Sequence, residues 1–248
     1  MTQNRRTVVD PRQAERRRSL IFKIGAAGVL IAVAAGIAVW AVNSNSEDSS
    51  TGASATPTVV TEDGFIRVSA APKGTEPKAV VSLVEDFQCP ACQAFETRHG
   101  ATLQELAKNP NVAVDYKPII FLDRGGQTEF SANTSNASMC VAEATGKTGD
   151  MSVWLKFHNL LFANQQQEGG PGPSDDQLRK FAEEAGATGV SQCIKDDQFG
   201  DWLSDQSSST MQDSGFQGTP WVRLNGETID AMNMSTQQLT DAVNGAAK

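Results

Sequence analysis

The 248-residue chain has little of what most metal or nucleic-acid sites require: two histidines, one tyrosine, four cysteines and an aromatic share of 6%. The histidines, His99 and His158, form no pair with metal-ligand spacing, and no second C-x-x-C accompanies the first. A zinc ribbon needs such a second pair to complete its tetrahedron, so no metal is predicted. Basic residues are in the minority, 21 against 29 acidic ones, for a net charge of −8. Phosphate contacts need clustered Lys and Arg, which makes the chain a poor nucleic-acid binder. No internal repeat is present.

The charge is unevenly distributed. Residues 1–19 are Arg-rich, and residues 24–42 then run from Ile24 to Val42 without a charge. At about 1.5 Å per helical residue this run reaches roughly the thickness of bilayer hydrocarbon. With Arg before it and Glu47 and Asp48 after it, 20–42 reads as a single-pass anchor with the N-terminus cytoplasmic. Ala32-Val33-Ala34 would suit signal cleavage, but the apolar run is long for a signal peptide. Arg17-Arg18-Ser19-Leu20-Ile21 only loosely fits a twin-arginine signal. Residues 43–57 are rich in Ser, Asn, Thr and Ala and read as a flexible linker.

Residues 58–248 read as one α/β domain. Apolar runs predict strands at Gly64–Ala70, Lys78–Phe87 and Asn111–Phe121, with helical spacing over Pro90–Lys108 making the middle of this a β-α-β unit. Four longer helices are predicted across 129–213, at Ser131–Thr145, Asp150–Ala163, Ser174–Ala185 and Asp196–Asp213, with a short one near Cys193. Ser174 with Gln177 forms a capping box. Asn225-Gly226 then turns a hairpin, and Ser235–Ala247 closes as a helix.

The chemistry centres on Cys89-Pro90-Ala91-Cys92 at the strand-to-helix junction. Disulfide exchange needs a thiolate, whereas a free cysteine, with a pKa of about 8.5, is mostly protonated at neutral pH. A helix start favours an anion, and Pro90 suits the first helical position because its missing N–H removes nothing there. This predicts an exposed Cys89 at the cap with a lowered pKa, and a more buried Cys92 one turn on that resolves mixed disulfides. Pro90 and Ala91 supply no cation to hold the thiolate further. Cys140 and Cys193 read as a structural disulfide pinning the helical region, with a second redox pair as the alternative.

Asp86-Phe87-Gln88-Cys89-Pro90-Ala91-Cys92, the helical insertion about 129–213 and Gly218-Thr219-Pro220 together resemble the DsbA-like branch of the thioredoxin superfamily, in its membrane-anchored actinobacterial form. The resemblance implies a thioredoxin fold and a cis Pro220 facing the redox pair, with the Thr219 backbone binding substrate. It also implies a monomeric enzyme without a cofactor that oxidises exported proteins and is reoxidised by a membrane quinone reductase of the VKOR or DsbB type. Many relatives carry a buried acid six positions before the first cysteine; here that position is Leu83, with Glu85 or Asp86 as substitutes. A thiol reductase of the cytochrome-maturation or repair type, and a tethered binding module with structural cysteines, are the alternatives.

Overall fold

The apolar run at 79–84, broken only by Ser82, forms the centre of the fold. In the computed structural model, which describes residues 55–123 and 128–248, this run is strand β2 (Ala79–Glu85). It lies between β3 (Val112–Pro118) on one side and β4 (Trp221–Leu224) on the other. Strand β1 (Ile66–Ser69) flanks β3 and β5 (Glu227–Thr228) flanks β4, giving the order β1-β3-β2-β4-β5. The pairing of β2 with β3 is parallel, and the other three pairings are antiparallel. Parallel strands covered on both faces read as near-continuous apolar stretches; every residue of β3 is buried, Asp115 and Lys117 included.

The crossover from β2 to β3 is helical but interrupted. It comprises α1 (Pro90–Phe95), a π-helical turn (Glu96–Gly100) and α2 (Ala101–Leu106), where the sequence predicts one helix. The wider turn keeps the apolar face on the sheet, with Phe95, Leu103 and Leu106 all buried. The buried positions Phe95, His99, Leu103 and Leu106 keep spacings of three and four residues across the turn, so residue spacing does not announce it.

The insertion adds α3 (Phe130–Thr145), α4 (Ser152–Ala163), α5 (Asp175–Ala185), α6 (Ser191–Lys195) and α7 (Gly200–Met211). Helix α3 is its core, buried without interruption from Thr134 through Ala142. Cys140 on α3 and Cys193 on α6 are disulfide-bonded, with their Cα atoms 5.9 Å apart. Beside them Asn136 donates to the Ile194 carbonyl at 3.2 Å and accepts from Phe199 N at 3.1 Å, satisfying the chain between α6 and α7. The capping box at Ser174 is present, and Gly186 (φ 103°) ends α5 in a left-handed conformation that a glycine adopts without steric cost. After the hairpin, α8 (Thr236–Ala246) starts with a second capping box, Ser235 with Gln238.

The anchor expected at 20–42, the basic segment 1–19 and the linker as far as residue 54 lie outside the described residues. Among the described residues no helix is long and apolar enough to cross a membrane.

Candidate active site

Strand β2 delivers the chain into a buried turn, Asp86-Phe87-Gln88-Cys89, and Cys89 is the N-cap of α1 with Pro90 at its start. The turn is held from several sides. The Asp86 carboxylate accepts from Gln88 N (2.8 Å), Phe121 N (2.9 Å), Leu122 N (2.9 Å) and the Ser131 hydroxyl (2.8 Å). Burial pushes its pKa up, and these donors oppose the shift. Gln165, just beyond α4, donates to the carbonyls of Phe87 (2.9 Å) and Cys89 (3.0 Å). Gln88 donates to Asp123 (2.9 Å) and accepts from Gly169 N (2.6 Å). The insertion therefore fixes the backbone on which the cysteines sit.

Both cysteines are free thiols and both are buried; Cys89 is 7% exposed and Cys92 0%. The exposed Cys89 expected from sequence is corrected here. The Thr219 segment packs over it, with the Thr219 carbonyl oxygen 3.5 Å from Cys89 Sγ. The Thr219–Pro220 peptide is cis.

The two sulfurs differ sharply. The Cys89 pKa is lowered to about 6, first by the hydrogen bond from Cys92, which outweighs burial, and then by Thr219 and the amides of Cys92 and Ala91. The Thr219 hydroxyl oxygen is buried and has no hydrogen-bond partner among the described residues. The Cys92 pKa is raised well above the ordinary thiol value, by burial first and then by the charges of Cys89 and Glu85. Cys89 is thus the anionic partner and Cys92 the proton-holding one.

Three further ionisable groups lie together in the interior. Glu85 ends β2, Glu96 opens the π-helical turn and His158 comes from α4, and one ligand-type atom of each lies within 4.8 Å of the others. His158 Nε2 is 2.6 Å from Glu85 Oε1. Burial lowers the His158 pKa, but Glu85 and Glu96 together push it up to about 9. Burial pushes the Glu96 carboxyl up to about 7, although His158 opposes the shift. His158 is enclosed by the rings of Phe87, Tyr116, Trp154 and Phe162.

The family model described as Thioredoxin matches residues 74–244. Reduced DsbA from Mycobacterium tuberculosis is similar at 30% identity, covering 74% of this chain and 97% of that one, with a TM-score of 0.61. Reduced DsbG from the same organism, a disulfide bond oxidoreductase, is also 30% identical over 74% and 89% of the two chains, with a TM-score of 0.62. The chain belongs to the thioredoxin family. It is a DsbA-like thiol-disulfide oxidoreductase. MdbA from Corynebacterium diphtheriae shares the fold at 21% identity, covering 79% and 96% of the two chains with a TM-score of 0.60. No curated protein sequence matches the chain. The assignment as an enzyme displaces the binding-module alternative.

Within this DsbA-like site, the structure gathers Cys89, Cys92, Pro90, Ala91, Thr219 and Pro220 at one end of β2 and sets Cys140 and Cys193 apart, in the insertion. Leu83, where the resemblance leads one to expect an acid, is a fully buried core residue. Of the two substitutes, Asp86 is engaged by its four donors, whereas the charge of Glu85 reaches Cys92. The grouping of Glu85, Glu96 and His158 has no counterpart in sequence spacing. The only hint is the presence of acidic residues inside otherwise apolar patterns. His99 is fully buried against the Phe95 ring, 5.0 Å away, so it is a packing residue and not a surface one.

Proposed function

We propose that this oxidoreductase is an oxidase that introduces disulfides into exported proteins outside the cytoplasm, with Cys89 and Cys92 as its catalytic pair. The observation that carries this reading is the asymmetry of the two sulfurs. A low-pKa Cys89 stabilises the dithiol form, and a stabilised dithiol makes the corresponding disulfide a stronger oxidant.

In the proposed cycle a substrate thiolate attacks Cys89 Sγ of the Cys89–Cys92 disulfide. A substrate–Cys89 bond forms and the Cys89–Cys92 bond breaks. Cys92 leaves as a thiolate and takes up a proton, consistent with its raised pKa. A second substrate thiolate then attacks the substrate sulfur of the mixed disulfide and releases Cys89 as a thiolate. The substrate has lost two electrons and the enzyme has gained them. Thr219 supplies backbone beside Cys89 for an extended substrate segment to pair with, and Pro220 keeps that segment's path open at the sulfur. A membrane quinone reductase of the VKOR or DsbB type restores the disulfide, and an anchor at 20–42 with its N-terminus inside holds the enzyme near it.

The reduction potential tests this against the reductase reading. An oxidase is expected to equilibrate with glutathione mixtures at about −120 to −200 mV, and a value near about −270 mV, typical of thioredoxin, would overturn the assignment. Oxidative refolding of a reduced substrate by the full chain, lost in Cys89→Ser, is the matching activity assay.

A further inference from the structure

The exchange chemistry does not use the full donor set of the interior cluster. Glu85 is completely buried, and its Oε2 has no hydrogen-bond partner among the described residues. Glu96 Oε1 is likewise buried and unpartnered. Leaving a carboxylate oxygen unpaired in the interior is unfavourable by several kcal/mol unless a proton or a metal compensates it. Both carboxylates belong to the group in which Glu85, Glu96 and His158 each present one ligand atom within 4.8 Å of the others.

We propose that Glu85, Glu96 and His158 form a binding site for one divalent zinc ion. Two carboxylates and a neutral imidazole carry a charge of −2, so a divalent cation makes the buried site neutral. Zinc binds nitrogen and carboxylate oxygen at about 2.0–2.2 Å, and three donors with one open position is a common zinc arrangement. Tetrahedral donors at that distance from one ion lie roughly 3.4 Å from each other, and the three atoms here lie within 4.8 Å of one another. In the metal-free form a proton between His158 Nε2 and Glu85 Oε1 stands where the cation would, and it leaves when zinc enters. Among divalent ions offered to a nitrogen and oxygen site, the Irving–Williams order favours zinc over manganese.

Two features around the cluster complete a site of this kind. His158 Nδ1 lies 3.3 Å from Asn159 Oδ1, which orients the ring and leaves Nε2 for the metal. A cleft of about 270 Å³, lined by Glu96, Gly100, Gln104 and Asn159 among others, opens on the Glu96 side of the cluster. The Glu96 carboxylate lies over Gly100, where a Cβ would come within 2.6 Å of Oε2, so the absence of a side chain there gives the carboxylate its place.

The test is zinc uptake by the full chain with Cys89–Cys92 oxidised, so that no thiol competes. Competition against a chromogenic chelator is expected to show one zinc per chain, weakened at least ~tenfold by Glu96→Gln and by Asn159→Ala, and insensitive to millimolar magnesium. Glu96 is only half-buried, so Glu96→Gln keeps the test valid if His158→Gln fails to fold. X-ray absorption at the zinc edge is expected to show nitrogen and oxygen neighbours only. No saturable uptake, equal uptake by Glu96→Gln and the parent chain, or sulfur in the zinc shell would each overturn the proposal.

Discussion

The carbonyl oxygen of Thr219 lies 3.5 Å from Cys89 Sγ, across 130 residues of sequence. That approach covers Cys89 while leaving it the more acidic of the two thiols. Alkylation of the reduced protein is therefore expected to follow the Cys89 thiolate, with a midpoint near pH 6. Below it the rate falls about tenfold per pH unit. Cys92 is expected to stay unlabelled in the native protein. A single midpoint near the free-thiol value would contradict the assignment.

Cys92→Ser removes the sulfur that contributes most to lowering the Cys89 pKa. The alkylation midpoint is expected to move upward from about 6, and a mixed disulfide formed when the Cys89 thiolate attacks an oxidised substrate, releasing a substrate thiolate, is expected to persist because Cys92 can no longer attack it. Mass spectrometry of the trapped species reads the second effect independently of the first.

The same lowered pKa links the stability of the reduced protein to pH. The thiolate is favoured in the folded state, so the contribution is complete above the unfolded pKa of about 8.5 and is lost as pH falls through about 6. Denaturant titrations of the reduced chain are expected to show stability, relative to Cys89→Ser, rising from about pH 6 to about 8.5 and level beyond. A difference that is flat or falling across that window would exclude this linkage.

Asp86→Ala removes the acceptor of buried Gln88 N and of the part-buried backbone amides of Phe121 and Leu122. At about 1–3 kcal/mol for a buried donor left unpaired, and less for the two part-buried amides, a loss of about 2–3 kcal/mol is expected in urea unfolding. Asp86→Asn keeps an acceptor and is expected to lose less. Equal losses would mean that the carboxylate's hydrogen bonds are not what holds the turn.

Cys140→Ser with Cys193→Ser opens a loop with a sequence separation of 53. On the chain-entropy relation this is worth about 4 kcal/mol, and thermal unfolding of the oxidised protein should register it. The alkylation midpoint of Cys89 is expected to stay put, since this pair lies in the insertion. A shifted midpoint would place the pair within the redox machinery.

How much of this could be read from the chain depends on how local each signal is. The strand before Cys89, the proline after it and the Asn225-Gly226 turn are each set by a few adjacent residues, and the structure has them within a residue or two of expectation. The π-helical turn at Glu96–Gly100 escaped notice because the pattern of apolar residues passes through it nearly unchanged. Cys89 reads as exposed from its place at a helix start; its cover arrives from Thr219, far along the chain. Glu85 and His158 are 73 residues apart, and no periodicity relates them. Only the packing of α4 against the β2 end brings them together.

The hairpin turn at Asn225 has a further consequence. Asn225 Oδ1 accepts from Val80 N at 2.7 Å, its Nδ2 donates to the Lys78 carbonyl at 3.1 Å, and its own N–H donates to the Val80 carbonyl at 2.8 Å. These bonds fasten one end of β4 to the beginning of β2, while Thr219 sits at the other end beside Cys89. The alignment of the two strands is thus gauged far from the sulfur it serves. A slip of one residue would shift Thr219 by about 3.3 Å along the strand, nearly the whole of its present separation from Cys89, and would turn every β4 side chain to the opposite face. Such a chain would keep its thiols and most of its architecture while presenting the wrong wall to its substrate, and Asn225 is the residue that guards against that failure.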